Sequence, residues 1–388
     1  MKIAFFADIN DNHNQKWFKI LAQKHELFVF TEKSNQLKNK NIFLNSTENI
    51  RIYPILEDRY SIKNLFFKHP LINEINLLLL TNEIEFVHSI YAVPYSFWAF
   101  DTCINKHIIT TYGSDMLVDY NQIFKKPVSL KNGISFYLLK TRLERIFNNA
   151  AFITSTSFEQ QKVIKTFTKD HKKLSIIRTG VDCNFFIENI EKYSNKKNHL
   201  TILSNRAMRP LYNIDLIVDA FKLLTDSNPK MSGTQLVLLN YYTDEEYYRS
   251  ILNKIKQYNL QKNITILTDL KFLDLIEQYA CADLVIMIPS SDGTPVSGVE
   301  TLLSKKPLIL GDLNYDIDLF NKDTTWRTSN FSIESVCNAI EEVLSTSKDV
   351  IDSKTEKGRT QALNNADVYK EIKKIEHLYH QIKSNNGI

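Results

Sequence analysis

The chain has 388 residues, of which 43% are hydrophobic and 24% charged, and its formal net charge is +4. That length exceeds one ordinary hydrophobic core and predicts two domains, and the composition excludes a disordered or fibrous chain. Cys103, Cys183, Cys281 and Cys337 lie far apart with no CxxC pair, which excludes a disulfide framework and a cysteine-held metal cluster and reads as reduced thiols. No run approaches the ~20 apolar residues of a membrane span, and a strand pattern begins at the first residue, so neither a spanning helix nor a secretion signal is expected and the predicted location is cytoplasmic. Residues 1–175 hold 23 Lys and Arg against 16 Asp and Glu. This basic half fits an anionic partner such as phosphate or a membrane surface, or else scattered surface charge. No nucleic-acid partner is expected.

In chain order, "MKIAFFAD" reads as a buried strand, "NHNQKWFKILAQKH" as a helix with Trp17, Ile20 and Leu21 on one face, and "ELFVFTE" as the next strand. The alternation continues through "NEIEFVHSI", "PYSFWAFDTC" and "KHIITTYGSD", then a basic amphipathic helix near 134–148, "AAFITSTS" and "KLSIIRTG". Residues 184–199 are polar and are predicted to be a linker between a domain at 1–183 and a second at 200–365. The second repeats the pattern in "LTILSN", "LIVDAFKLL", "TQLVLLN", "NITILTDL", "DLVIMIPSS" and "KPLILGD". Strands alternating with helices predict an α/β chain of two Rossmann-like, doubly wound parallel sheets facing a cleft. A long amphipathic helix closes the chain at 366–388.

"PSSDGTPVSGVETLLSKKPLILGD" (289–312) concentrates three of only nine glycines. "LVIMI" before it reads as a buried parallel strand, whose carboxyl end borders the ligand-binding crevice of such sheets. Thr294 is predicted to cap the following helix, with Pro295 at its first position. The helix start then offers unpaired N–H groups to a diphosphate, and Gly293 allows close approach of the backbone. Glu300 shares a helix face with Val296, Val299 and Leu303, where a carboxylate needs hydrogen-bonding partners. Ribose hydroxyls would supply them.

"SDGTPVSGVETLLSKKPLIL" resembles the donor-site motif of the retaining, GT-B-fold glycosyltransferases of family 4. In that family two acids with seven residues between them bracket this loop, and Asp292 and Glu300 have that spacing, with Asp in place of the usual first Glu. "HNQKWFKILAQKHELFVFTEK", "FVHSIYA", "ITTYGSDML", "ITSTSFEQQKVIK", "KKLSIIRTGVDCNFF" and "LTILSNRAMRPLYNIDLIVDAF" are similar to further family segments in the same order, so the resemblance spans nearly the whole chain.

The resemblance implies roles for particular residues. Glu300 would hold the donor ribose, and Asp292 would lie beside the sugar. Arg206 would neutralise the donor diphosphate, and Thr294, Pro295 and Val296 would meet its phosphates through the backbone. The family's nearby lysine is replaced by Tyr212, with Arg209 as the candidate substitute. Asp269 and Leu270 fall where the family holds the nucleotide base by main-chain atoms. On the acceptor side Tyr112 stands where many members have histidine, followed by Gly113, Ser114 and Asp115. His13 and His88 are expected to face the cleft, or else to be structural, and Asp8 and Asn10 replace the glycine-rich first loop. The final helix is expected to cross back to the first domain.

The chain is thus expected to move a sugar from a nucleotide diphosphate sugar to a hydroxyl of a bacterial surface glycan, lipid-linked, with retention, without metal or other cofactor. A non-catalytic subunit of a glycan assembly complex is the alternative, suggested by Asp292, Tyr112 and the missing lysine; a nucleotide-sugar epimerase fits less well. In the basic helix, Ile134, Leu138, Leu139, Leu143 and Ile146 form the predicted inner stripe. Lys140, Arg142 and Arg145, with Lys125, Lys126 and Lys131 nearby, are expected to point outward, toward anionic lipid at the inner face of the plasma membrane.

Overall fold

The central strands form where apolar residues run on without a polar break, because these are covered on both faces, whereas edge strands such as Ile50–Leu56 and Ile264–Thr268 keep exposed positions. In a computed structural model, which describes residues 1–34, 48–57, 67–119, 130–193 and 199–384, the first sheet holds β1 (Lys2–Phe6), β2 (Glu26–Glu32), β3 (Ile50–Leu56), β4 (Phe86–Ile90), β5 (His107–Thr110), β6 (Phe152–Ser155) and β7 (Leu174–Ile176). All are parallel, in the order β3-β2-β1-β4-β5-β6-β7. Side chains alternate between its faces. Ile3 and Phe5 pack against α1 (Asn12–Leu21). Ala4 and Phe6 pack against α2 (Ile72–Thr81) and α3 (Tyr95–Phe100). α4 (Leu130–Asn149) buries Leu139, Leu143, Ile146 and Phe147 against Ile109 and Ile153, and α5 (Phe158–Ile164) follows β6.

The chain divides into two compact units, Met1–Thr179 with Val368–Ile388, and Gly180–Asp367. The segment expected as a linker does not serve as one. It opens with α6 (Cys183–Ile190), which Asp182 caps by accepting from the Phe185 amide at 3.1 Å. Cys183, Phe186 and Ile190 enter the second unit's core, as three apolar side chains at helical spacing must. Residues 194–198 lie outside the described residues.

The second sheet holds β8 (Thr201–Ser204), β9 (Gln235–Asn240), β10 (Ile264–Thr268), β11 (Leu284–Met287), β12 (Leu308–Leu310) and β13 (Trp326–Arg327), parallel, in the order β10-β9-β8-β11-β12-β13. On one face Ile202, Leu236 and Ile286 meet α7 (Ile214–Ser227), α8 (Glu245–Gln257) and α11 (Ile333–Ser345). On the other, Leu203, Val237 and Val285 meet α6, α9 (Phe272–Cys281), α10 (Val296–Leu303) and α12 (Lys348–Asn365). The strand order reverses between β8 and β11, which places the crevice of a doubly wound sheet beyond their carboxyl ends.

The last helix, α13 (Val368–Ser384), buries Ile372, Ile375 and Tyr379 in the first unit's core. Glu371 there accepts from the Arg178 amide at 2.7 Å, and Glu376 and Lys383 pair with Lys24 and Glu85, each at 2.9 Å. Among the described residues no helix is long and apolar enough to cross a membrane.

α4 departs from the expected picture. Arg142 turns inward: its Nη2 lies 2.6 Å from Asp101 and its guanidinium over the Phe97 ring. A guanidinium stem covers apolar surface while its head finds a buried carboxylate. Leu138, expected inside, is 53% exposed beside Tyr137 at 67%. Lys125 and Lys126 lie outside the described residues, as do the side chains of Lys131 and Ile134.

Candidate functional site

β8 ends at Ser204, and the next two residues turn over the carboxyl edge of the sheet. Arg206 is held on three sides. Its Nη2 lies 2.9 Å from Asp292 Oδ2, its Nη1 donates to Ser297 Oγ at 2.7 Å, and its guanidinium lies 4.2 Å from the Tyr212 ring centroid. Burial works against its charge, but Asp292 and the surrounding tyrosine hydroxyls outweigh that and hold Arg206 firmly protonated.

The loop from β11 to α10 differs in one detail from the sequence expectation. α10 starts at Val296, with Pro295 as its N-cap (ψ 123°) and no side-chain cap. Thr294 therefore lies one residue before the cap position, and its hydroxyl donates to Asp316 Oδ2 at 3.2 Å. The amides of Val296 and Ser297 precede the first intrahelical acceptor and remain donors at a helix start. The glycine here serves space: a Cβ on Gly298 would stand 2.9 Å from the Phe320 ring. The loop also folds on itself, with the Gly293 amide donating to Asp292 Oδ1 at 2.8 Å.

Glu300 is buried on the inner face of α10. Its Oε2 accepts from the Tyr279 hydroxyl at 2.6 Å, with the Ser297 carbonyl 3.2 Å from the same hydroxyl. Burial and the neighbouring Glu300 carboxylate push the Tyr279 hydroxyl well above its usual range, so it stays protonated and donates. Asn205 donates to Tyr279 Oη and, at 3.3 Å, to the Ser297 carbonyl, and Tyr241 donates to the Asn205 carbonyl at 2.8 Å. Arg206, Asp292 and Glu300 are therefore parts of one network joined through Asn205, Ser297 and Tyr279. The sequence reading found its charged members and missed the neutral ones.

Arg209 stays exposed where the 3₁₀ turn Pro210–Tyr212 begins, and Tyr212 rather than Arg209 lies against Arg206. Asp269 is exposed, with a positive φ of 55°, and Leu270 is half-buried, both just beyond β10. They share the carboxyl edge of the sheet, two strands or about 10 Å from β8.

In the first unit, Asp11 caps α1 by accepting from the His13 and Asn14 amides at 2.8 and 3.1 Å. Asp8 accepts from the Asn10 amide at 2.8 Å. Tyr112 donates to Asn14 Oδ1 at 2.8 Å and meets His13 and Trp17 edge-on. Burial and the charges of Asp11 and Asp115 push the Tyr112 hydroxyl well above its ordinary range, which rules out a role as base near neutral pH. Burial lowers His13. Gly113 has φ 103°, and Ser114 opens the π-helical turn Ser114–Asp119, its side chain lying outside the described residues. Asp115 is buried and accepts from the amides of Ala92, Tyr112 and Gly113 at 2.8, 3.1 and 3.0 Å. It fixes the loop rather than presenting a carboxylate.

Of the two expectations for His88, the structural one holds and the cleft-facing one does not. The side chain is fully buried, with Nδ1 2.8 Å from the Tyr379 hydroxyl and Nε2 2.8 Å from Thr110 Oγ1. Burial, helped by His107, pushes it down to about 3. α13 covers it, and nothing local in "FVHSI" announces that.

Two doubly wound α/β units, with a charged network at the carboxyl edge of the second, define the GT-B class. A family model described as "Glycosyl transferases group 1" matches residues 185–360, and one described as "Glycosyl transferase 4-like" matches residues 2–157. Each match covers less than half of the chain, and together they support a glycosyltransferase of group 1 type. It is similar to the O-antigen chain mannosyltransferase RfbU of Salmonella typhimurium, 22% identical over 61% of this chain and 66% of that protein. A shorter stretch, 38% of this chain and 19% of the relative, is 26% identical to a Saccharolobus solfataricus protein named "Probable aminopeptidase 1". The chain thus spans less than two thirds of the length of either curated relative. The crystal structure of Anabaena HepE in complex with UDP superposes with a TM-score of 0.73 at 14% identity, covering 98% of this chain and 100% of that one, and shares the fold.

Proposed function

We propose that the protein transfers a glycosyl group from a nucleoside diphosphate sugar to a hydroxyl of a lipid-linked bacterial surface glycan, with retention and without a metal. The observation that carries this reading is the Arg206–Asp292 pair, 2.9 Å apart beside the amino end of α10. The bond from the anomeric carbon to the diphosphate breaks, its electron pair leaves on the phosphate oxygen, and the acceptor oxygen bonds to that carbon. The acceptor proton leaves with the diphosphate. Arg206 and the helix start supply the positive field that the departing charge requires, a service a metal ion performs elsewhere. Glu300, held in place by Tyr279, receives the ribose hydroxyls, and Asp269 and Leu270 meet the base. Asp292 stands by the sugar. Tyr112, with Asp8, Asn10 and His13, lines the acceptor side, where Gly113 and Asp115 shape the loop. The likeness to the O-antigen chain mannosyltransferase RfbU and to HepE in complex with UDP supports the glycan acceptor and the nucleotide donor. The exposed Tyr137, Leu138 and Arg145 of α4 support a cytoplasmic enzyme docked on an anionic membrane, where a lipid-linked acceptor resides.

The test is a thermal-shift screen of UDP-, GDP-, ADP- and dTDP-sugars, followed by nucleoside diphosphate release with a lipid-linked glycan extract, with and without EDTA. Release that persists in EDTA is expected. Donor binding without release would favour the non-catalytic partner reading, and no binding at all would overturn the donor assignment.

A further inference from the structure

The stretch after β12 took no part in the sequence-derived site, yet it lies against the donor loop. The Asp316 amide donates to the Gly293 carbonyl at 2.9 Å, the Asp316 carboxylate accepts from Thr294, and Phe320 packs on Gly298. Tyr315 sits within this stretch, 6% exposed. Its ring meets Phe320 edge-on with centroids 6.1 Å apart, and the Arg327 guanidinium lies over it at 5.0 Å. Arg327 is committed to the loop: Nη1 donates to the Leu313 carbonyl at 2.5 Å and Nη2 to the Phe320 carbonyl at 2.7 Å. One arginine thus clamps both ends of the segment and caps the ring between them.

The hydroxyl oxygen of this clamped tyrosine is buried beside the Gly311 backbone, and its proton finds no acceptor among the described residues. Arg206 Nε–H likewise finds none. The two lie close: Tyr315 directly precedes Asp316, whose amide holds the Gly293 carbonyl, and Gly293 directly follows Asp292, the partner of Arg206. A buried polar group left unpaired destabilises the fold, and native structures rarely keep one without a use for it. Arg206 Nε–H can only donate, and burial keeps the Tyr315 hydroxyl protonated. The group that answers both is an acceptor oxygen, and beside a guanidinium an anionic one.

We propose that Tyr315 is a further donor-site residue, whose hydroxyl donates to an oxygen of the departing phosphate alongside Nε of Arg206. This rests on the donor reading above and deepens it. The position where a second cation was expected holds Tyr212, which is spent on stacking against Arg206. Tyr315 then supplies the second contact as a neutral donor.

The experiment compares wild type with Tyr315→Phe, which keeps the ring under Arg327 and against Phe320. Calorimetry first finds which of UDP, GDP, ADP, CDP and dTDP the wild type binds, and then measures that diphosphate and its monophosphate on both proteins. Diphosphate affinity should fall about 5–10-fold, the scale of one lost hydrogen bond to a charged group, with monophosphate affinity unchanged. Donor turnover should fall further, roughly 100-fold, because charge on that oxygen grows in the transition state. The melting temperature of the unliganded variant should equal or exceed that of wild type. Unchanged diphosphate affinity and turnover, or equal losses for both nucleotides, would overturn the role of Tyr315 alone. Failure of the wild type to bind any of the five diphosphates would overturn the donor reading and this proposal with it.

Discussion

Tyr279 gives its hydroxyl to Oε2 of Glu300 over 2.6 Å, joining α9 to α10 under the donor loop. The contact explains how a carboxylate is kept on the apolar face of a buried helix. The Tyr279 hydroxyl partners the carboxylate and orients it for what it is proposed to bind.

Glu300→Ala should raise the donor KM about tenfold, equivalent to about 1.4 kcal/mol, with the fold retained. The fold survives because the Tyr279 hydroxyl keeps the Ser297 carbonyl as an acceptor at 3.2 Å. Initial rates at varied donor, together with a thermal melt, check this. An unchanged KM would reduce Glu300 to a structural partner of Tyr279.

Arg206→Ala should lower kcat more than it raises KM, since the charge it answers grows as the diphosphate leaves. Arg206→Lys should not restore the rate, because an ammonium cannot both reach Asp292 and Ser297 as a fork and stack on Tyr212. Tyr212→Ala should act in the same direction as Arg206→Ala but more weakly, a cation–π contact being worth about 0.5–2 kcal/mol. Steady-state kinetics of the three variants decide it; losses confined to KM would count against the role.

Stability should decline as pH falls below about 6.5. Burial pushes His88 and His107 down to about 3 in the folded state, whereas the unfolded chain protonates both near 6.5. Between those values the unfolded state binds more protons, so stability rises with pH and is lost on acidification, by about 1.4 kcal/mol per pH unit for each group. Urea melts at pH 7, 6 and 5 measure the slope. His88→Gln should flatten it, and an identical slope would show that His88 does not contribute.

The protein should co-sediment with anionic vesicles at low salt and be released at high salt, with no binding to neutral lipid. Each basic side chain near such a surface contributes about 1 kcal/mol. Lys140→Glu with Arg145→Glu should abolish the effect while sparing turnover of a soluble acceptor. Arg142 is left in place because it is paired with Asp101, and reversing it would oppose two carboxylates. Indifference of the wild type to anionic vesicles at low salt would remove the membrane from the reading and leave the transfer chemistry standing.

What could be read in the sequence is what depends on neighbours along the chain. Buried parallel strands announce themselves as "IAFF", "LFVF" and "LVIM", and their alternation with helices dictates two doubly wound sheets. The placement of Asp292 follows from the end of the apolar strand run, that of Glu300 on the inner face of α10 from helical spacing, and the helix break before Pro307 from proline's restriction of the preceding backbone. What tertiary structure decided is which side chains answer those acids and which polar groups are covered. Tyr279, 21 residues before Glu300, and Tyr315, after the next strand, have no local pattern that marks them for the site. The polar stretch 184–199 looked like a linker because the surface α6 covers lies on other elements. His88 could be read as cleft-facing or structural, and Tyr379, 291 residues later, closes over it and decides for the second. Periodicity is a property of adjacent residues, whereas burial and hydrogen-bond pairing belong to whichever element the folded chain lays on top, and that choice is made by packing across the whole unit.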